Sequence, residues 1–312
     1  MNKKSMNATI EFNSFNNKKF RHKLRNIVLT SSDGFDLPFL HYSLLGVGNL
    51  VLTYLYALYI KSYIKNLEII PFYPIRIIPI IKDFKYWYIR SSFEFNYKIK
   101  HLKRFLYFFL LGKNFKNSFI KNENLFLSTH IVNLDTLFFE KISALDLQYV
   151  KKNIVSFLNF DYEIKKDNKS DLIQNKKKNI TLGLHLRRGD FLSKKSSSKN
   201  FNSSPDINSQ IKIIKKIKSK IKIINIYSDQ SKSKTLKELS NKLDNYKLNL
   251  FPTNANGSKV LQDMMKNDVI ILSNSTLSVI SCILTNQLAL FSNQILPSKL
   301  KKYFKNIKEI KC

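Results

Sequence analysis

Short β-rich runs alternate with segments of helical spacing along the second half of the chain. The β-rich runs are residues 180–186, 222–229, 268–274 and 288–292, and the helical segments are 209–221, 233–243, 259–267 and 275–286. Strands that alternate with helices at this spacing predict a parallel, Rossmann-like sheet. Because ligands of such sheets bind beyond the carboxyl ends of the strands, a site is expected at that edge.

Polar residues follow three of these strands where each one ends. His185, Arg187, Arg188 and Asp190 stand at the first end, Ser228 and Asp229 at the second, and Ser273, Asn274, Ser275 and Thr276 at the third. The third group also opens a helix, whose free N–H groups and dipole favour an anion. Paired arginines add planar donors that suit phosphate oxygens. The combination predicts a site for a phosphorylated ligand.

Each of these features has an ordinary structural explanation when it stands alone. Two arginines can be solvated charge, a Ser-Asn-Ser-Thr segment can cap a helix without any ligand, and a histidine such as His185 can serve the core. The Arg-Gly-Asp tripeptide at 188–190 also occurs as a cell-adhesion signal, but three residues form a weak match. Joint occurrence at strand ends of one domain is what favours a functional site.

Length, charge and cysteine content indicate the number of domains, the kinds of partner and the cellular setting. The chain has 312 residues, 44% of them hydrophobic, which is enough for two folded domains. Its net charge of +31 comes mainly from lysine, together with abundant isoleucine and asparagine, so part of it reflects compositional drift. The charge suits an anionic membrane surface, a phosphorylated small molecule or nucleic acid. Cys282 and Cys312 offer no disulfide or metal-ligand spacing, which favours a reducing, cytoplasmic setting.

The first half of the chain gives weaker signals. Residues 1–38 are polar and lack the apolar core of a secretory signal, so we expect a flexible extension. Residues 39–60 have the length of a membrane-spanning helix and carry no Asp, Glu, Lys or Arg. Glycines and an asparagine near the middle favour instead a turn between a short strand, 39–45, and an amphipathic helix, 50–63. The apolar segment 105–112 is too short to span and suits a core helix or a patch resting on a membrane.

The motif strand and three other segments resemble one known family. Residues 183–191, GLHLRRGDF, closely resemble the H-x-R-R-G-D-[YF] signature of the α-1,2-fucosyltransferases, family 11 of the glycosyltransferases. Residues 46–58 are similar to that family's G-x-G-N-Q stretch, 226–230 to its F-S-D-D strand end, and 263–284 to its segment ending in N-S-S-F-S-W-W. Order and spacing agree from about residue 40 to the C-terminus, which is more specific than any single match.

The resemblance implies an α/β protein of GT-B type, with two Rossmann-like domains facing a cleft. The N-terminal domain, 39–163, would lie on the acceptor side, a Lys-rich linker would occupy 164–178, and 179–312 would hold the donor. The implied reaction is inverting transfer of L-fucose from GDP-β-L-fucose to a galactose-type hydroxyl, in α-1,2 linkage, on a surface glycan or its lipid-linked precursor. The implied catalytic residues are His185, Arg187, Arg188 and Asp190, the donor-binding residues are Asp229, Asn274, Ser275 and Thr276, and the cleft turn is Gly46, Gly48 and Asn49.

Physical chemistry adds to this picture independently of the family. Breaking a sugar–diphosphate bond leaves negative charge that a metal or fixed donors must neutralise. The chain has no Asp-x-Asp motif, so the arginines and the helix terminus at Ser275 are expected to act without a metal or other cofactor. The attacking hydroxyl also needs a general base, for which His185 and Asp190 are both candidates, although neighbouring arginines would make Asp190 a weak base.

The sequence is also compatible with other functions. Val279 and Ile280 replace two tryptophans of the family pattern and Leu50 replaces a glutamine, which leaves room for another nucleotide-sugar donor or a catalytically inactive relative. A pI near 9.9 and the Lys-rich segments 164–178 and 211–222 also suit a nucleic-acid-binding protein. No nucleic-acid-binding motif accompanies them, and we expect the second segment's lysines on the wet face of a helix. The expected partners are GDP-fucose, a free or lipid-linked glycan acceptor and the cytoplasmic face of a membrane, without nucleic acid.

Overall fold

The computed structural model divides the chain into two compact units, 1–159 and 160–312. It describes residues 24–30, 36–37, 40–41, 47–64, 66–70, 119–121, 123–128, 136–158, 179–186, 207–217, 219–228, 234–252, 257–273, 275–285, 287–292 and 299–311. Each unit combines parallel strands with helices, so the predicted α/β class is confirmed.

The first unit is built on a mixed sheet. Its strands are β1 (Asn26–Thr30), β2 (Asp36–Leu37), β3 (Leu40–His41), β4 (Glu68–Ile70), β5 (Phe119–Lys121) and β6 (Asn124–Ser128), and its helices are α1 (Val47–Tyr63), α2 (Thr136–Ser143) and α3 (Leu147–Leu158). In the described part, the sheet order is β4-β1-β6-β5. Strand β1 runs parallel to β4 and β6, whereas β5 and β6 form an antiparallel hairpin. Strands β2 and β3 form a small separate antiparallel pair.

Strand β1 overturns part of the expectation for the N-terminal segment. It lies in the middle of the sheet, between β4 and β6, and Ile27, Val28 and Leu29 are fully buried. The assignment of residues 1–38 to a flexible extension outside the first domain is therefore wrong for Asn26–Thr30. Five residues inside a polar segment are too few to reveal a strand by composition, and their burial comes from partners distant in sequence.

Helix α1 also differs from its prediction. It begins at Val47, so Gly48 and Asn49 lie in its first turn and do not form the predicted turn. It is not amphipathic over most of its length, because every residue from 51 to 58 is buried between strands β1, β4 and β6 and helices α2 and α3. A helix enclosed on all sides has no polar face to show in its sequence.

None of the helices in the described part of the chain could span a membrane, because none combines the necessary length and apolarity. The predicted strand at 39–45 is a strand only at Leu40–His41 among the residues described. The apolar segment 105–112 lies outside them.

The second unit has the predicted alternation of strands and helices. Its strands are β7 (Asn179–Leu186), β8 (Lys220–Ser228), β9 (Leu248–Pro252), β10 (Val269–Ile271), β11 (Leu288–Phe291) and β12 (Ile307–Glu309), and its helices are α4 (Ile207–Lys216), α5 (Lys234–Lys242), α6 (Gly257–Met265) and α7 (Thr276–Thr285). Strands β9 and β12 have no counterpart in the sequence prediction. The predicted helix 209–221 ends already at Lys216, because the chain turns at Ile217 and enters β8.

All strand pairs in this second sheet are parallel, in the order β12-β11-β10-β7-β8-β9. Numbered along the unit and read from β9, this order is 3-2-1-4-5-6, which is that of the Rossmann fold. The predicted parallel, Rossmann-like sheet is thus confirmed for this unit. Alternate residues of β7 serve opposite faces: Leu182, Leu184 and Leu186 join a core with α4 and α5, whereas Gly183 and His185 face the other way.

The lysines of helix α4 lie on its solvent-exposed face, as predicted from the sequence. Lys212, Lys215 and Lys216 are exposed, whereas Ile211 and Ile214 on the opposite face are buried. The expectation of a solvated lysine face is confirmed for this helix. The other Lys-rich segment, 164–178, lies outside the described residues.

Candidate functional site

The candidate site lies where the order of the second sheet reverses direction. Strand β7 is flanked by β8, which follows it in the chain, and by β10, which comes three strands later. At such a switch point the connections leave on opposite faces, and a crevice opens beyond the carboxyl ends of the two strands. His185 is the next-to-last residue of β7, and Ser273 follows β10 by two residues.

His185 and Ser273 meet across this switch point. Ser273 Oγ lies 2.8 Å from Nδ1 of His185, and both side chains are buried, 0% and 2% exposed respectively. The alternation of β7 directs Leu184 and Leu186 into the core with α4 and α5, which leaves His185 on the face where Ser273 lies. The motif strand and the start of α7 are therefore joined by a direct side-chain contact.

A buried glutamine holds the backbone of His185 from the α4 side. Gln210, in the first turn of α4, donates from Nε2 to the carbonyl oxygen of His185 over 3.4 Å. Its Oε1 is buried and has no hydrogen-bond partner among the residues that the structure describes. Sequence analysis missed Gln210, although a polar residue at the same helical spacing as Ile207, Ile211 and Ile214 is a signal that could have found it.

The start of helix α7 is capped by its own residues. Leu277 N–H donates to Ser275 Oγ over 3.4 Å, and Ser278 Oγ donates to the carbonyl of Ser275 over 3.1 Å. The Ser275 hydroxyl thus satisfies one of the free N–H groups, as the simple capping explanation expects. Thr276, the first residue of the helix, is partly exposed, and the first turn contains no acidic residue. Its positive end remains suited to an anion.

A second polar cluster fixes strand β8 next to the motif strand. Asn267 Nδ2 donates to Tyr227 Oη over 2.9 Å, and Asn267 Oδ1 accepts from Asn225 Nδ2 over 2.8 Å. Tyr227 pairs in register with His185 and stacks on Phe251, with ring centroids 5.1 Å apart. Burial raises the pKa of Tyr227 above its ordinary value, so its hydroxyl stays protonated at neutral pH.

The structure brings some of the predicted residues together. His185, Ser275 and Thr276 all lie at the carboxyl edge between β7 and β10. Gly48 and Asn49 belong to the other unit, in the first turn of α1, where Gly48 is buried. Six predicted residues lie outside the described residues: Gly46, Arg187, Arg188, Asp190, Asp229 and Asn274.

No group of three or more His, Cys, Asp or Glu side chains that could hold a metal ion occurs among the described residues. The expectation of metal-independent activity stays a prediction, since the motif residues after Leu186 lie outside this part of the chain.

Comparisons with known proteins give one weak likeness. The heptosyltransferase WaaC of E. coli, solved with ADP, is 9% identical over a match that covers 93% of each chain, with a TM-score of 0.36. No family model matches the chain, and no curated protein matches it. A likeness of this degree carries no argument about family or function.

Proposed function

We propose that this protein is a glycosyltransferase whose nucleotide-sugar donor binds at the carboxyl edge between β7 and β10. One observation carries the proposal: the strand that runs into Arg187 and Arg188 is strand 1 of a Rossmann-ordered sheet, and its His185 contacts Ser273, which follows β10 and precedes α7. That edge is where such sheets bind nucleotides. Two guanidinium groups and a helix N-terminus are suited to a diphosphate.

The proposed donor is GDP-β-L-fucose, and the proposed product is an α-1,2-linked fucosyl galactoside. This finer assignment is supported by the resemblance of residues 183–191 to the fucosyltransferase signature. We assign Arg187 and Arg188 to the departing diphosphate, whose charge they neutralise in the transition state. Asp190 orients the motif, and Asp229, Asn274, Ser275 and Thr276 complete the donor side. No metal or other cofactor takes part in this proposal.

The acceptor side is assigned to the first unit, in a GT-B arrangement. Gly48 and Asn49 in the first turn of α1, with Gly46 before them, match the family's glycine-rich stretch and would contact the acceptor sugar. A glycan on a lipid carrier at the cytoplasmic face of a membrane is the proposed substrate. A net charge of +31 favours peripheral attraction to anionic lipids.

The test is nucleotide release from purified, chelator-treated protein given GDP-fucose, GDP-mannose or UDP-galactose, with and without galactose-terminated acceptors. We expect GDP release from GDP-fucose alone, and a ~10²–10³-fold loss of kcat in Arg187→Ala, as for the removal of one transition-state donor. Arg25→Ala is the matched control, because the exposed Arg25 side chain lies just before β1 and forms an ion pair with the exposed Glu123.

Different outcomes bear on the donor sugar, the metal-free mechanism, the role of the motif and the enzyme class. Release from another donor would keep the glycosyltransferase and replace the sugar. Loss of release after chelation would contradict the metal-free mechanism. An unimpaired Arg187→Ala variant would refute the assignment of the diphosphate to this motif, and no release from any donor, by folded protein, would refute the enzyme.

A further inference from the structure

The buried hydroxyl of Ser273 determines where the proton of His185 lies. Ser273 is fully buried, and within the described part of the chain Nδ1 of His185 is the acceptor within reach of its Oγ, at 2.8 Å. A hydroxyl without an acceptor is disfavoured when it is buried. The Ser273 O–H therefore donates to Nδ1 of His185, and Nδ1 must carry a lone pair and no proton.

We propose that Ser273 is a positioning residue that fixes His185 as the Nε2–H tautomer, which makes His185 a hydrogen-bond donor and not the general base. A neutral imidazole has one protonated and one unprotonated nitrogen, so an acceptor at Nδ1 places the proton on Nε2. A general base would need its lone pair on Nε2, which requires Nδ1–H to donate to Ser273. That arrangement leaves the serine proton buried without an acceptor, at ~5–150-fold lower population.

Hydrogen bonds to the backbone carbonyls of both residues hold the two chain segments in position. The Ser273 carbonyl accepts from Ser275 N–H over 2.7 Å, which ties it to the residue that caps α7. The carbonyl of His185 accepts from Gln210 on the α4 side. The strand and the helix are thus held so that Oγ and Nδ1 remain opposed.

This inference rests on the proposed function, because the proposed reaction identifies the group that accepts the hydrogen bond from Nε2–H. In the proposed reaction the sugar–oxygen bond breaks and its electron pair leaves with the diphosphate. A fixed N–H donor stabilises that growing charge without transferring its proton. The general base of the reaction is then a group other than His185.

The first test is independent of activity. Nitrogen NMR of the full chain with ¹⁵N-labelled histidine distinguishes protonated from unprotonated ring nitrogens, and His185→Gln assigns the signal among the five histidines. We expect a proton on Nε2 and none on Nδ1. In Ser273→Ala the signal should become a mixture of tautomers, and Ser273→Thr should restore the wild-type pattern. Ser281→Ala is the matched control, because Ser281 is equally buried and donates within α7, to the carbonyl of Ser278 over 2.7 Å.

The second test is kinetic and addresses the donor role. The amide nitrogen of glutamine can occupy the position of Nε2, whereas that of asparagine resembles Nδ1, so His185→Gln should retain at least ~10-fold more kcat than His185→Asn if one donor is worth ~10²-fold. The pH profile of kcat/KM should keep its limbs in His185→Gln.

A proton on Nδ1 in the wild-type protein would overturn the inference, whatever the activity. Equal loss in both His185 variants, together with loss of the acidic limb of the pH profile, would identify His185 as the base and overturn it as well. A proton on Nε2 in a protein that releases no nucleotide would support the role of Ser273 and refute the proposed function.

Discussion

Replacing Gly183 by alanine tests how tightly the motif strand is packed. A Cβ atom at this position would lie 3.0 Å from Nδ2 and 3.2 Å from Cγ of Asn267, and 3.4 Å from Cγ1 of Ile270. The first two distances are shorter than ordinary van der Waals contact. Either the strand or the Asn267 side chain must therefore move.

Asn267 has little freedom to move away. Its amide donates to Tyr227 Oη and to the carbonyls of Asp263 and Met264, and its oxygen accepts from Asn225. Overpacking costs about 1–3 kcal/mol, and each hydrogen bond that weakens adds about 0.5–1.5 kcal/mol. Alanine recovers about 0.5–1 kcal/mol of backbone entropy relative to glycine. With two of these hydrogen bonds weakened, the middle of each range gives a net loss of about 3 kcal/mol, so we expect about 2–4 kcal/mol.

The assay is urea unfolding of Gly183→Ala, Asn267→Ala and the double variant, followed by circular dichroism. If the clash is the cause, Gly183→Ala should cost less than about 1 kcal/mol once Asn267 is alanine, which corresponds to a coupling of about 1–3 kcal/mol. A cost that is equal in both backgrounds, or a Gly183→Ala protein as stable as the wild type, would refute the reasoning.

Three further predictions concern stability. Glu123→Gly should raise the free energy of unfolding by about 0.5 kcal/mol. Glu123 has φ 62° in the turn between β5 and β6, a conformation that costs non-glycine residues about 1–2 kcal/mol, and its exposed ion pair is worth less; a lower free energy of unfolding would contradict this. Gln210→Leu should leave the free energy of unfolding unchanged or raise it by up to about 1 kcal/mol. The substitution loses one long hydrogen bond, but it also removes a buried oxygen that has no partner in the described part of the chain. A free energy of unfolding lower by more than about 1 kcal/mol in urea would contradict this. Burial raises the pKa of several tyrosines, among them Tyr54, Tyr56 and Tyr227. These tyrosines ionise near pH 10 when unfolded but at higher pH when folded. Their contribution to the free energy of unfolding should therefore be complete below about pH 10 and fall above it by about 1.4 kcal/mol per pH unit for each. Urea unfolding at a series of pH values checks this, and a free energy of unfolding that does not fall above about pH 10 would contradict it.

The sheet of the second unit was predictable where its strands are buried on both faces. Strand β7 and helices α4 to α7 stand out because apolar residues recur at the intervals that their surroundings require. Strand β9 was missed because it is an edge strand, with Asn249 as its second residue, Leu250 exposed and Pro252 at its end. Strand β12 is three residues long, with a lysine and a glutamate, and only its position beside β11 makes it a strand.

Within the candidate site, the motif could be found from the sequence but its contacts could not. Ser273 and His185 are 88 residues apart, and they meet because β10 inserts next to β7. Local patterns give the strands but not their order across the sheet. From the sequence, Asn267 is an ordinary residue at the end of a helix. Only the structure shows that it packs against Gly183 and bonds to Tyr227.

The most direct test of the central claim is amide hydrogen exchange of the chelator-treated protein with and without GDP. The account predicts slower exchange at the N–H groups of residues 275–278, where the start of α7 would receive the diphosphate, and no change at the opposite edge of the sheet near Thr181 and Asp268. Protection confined to other parts of the chain, or none at saturating GDP, would contradict a nucleotide site between β7 and β10.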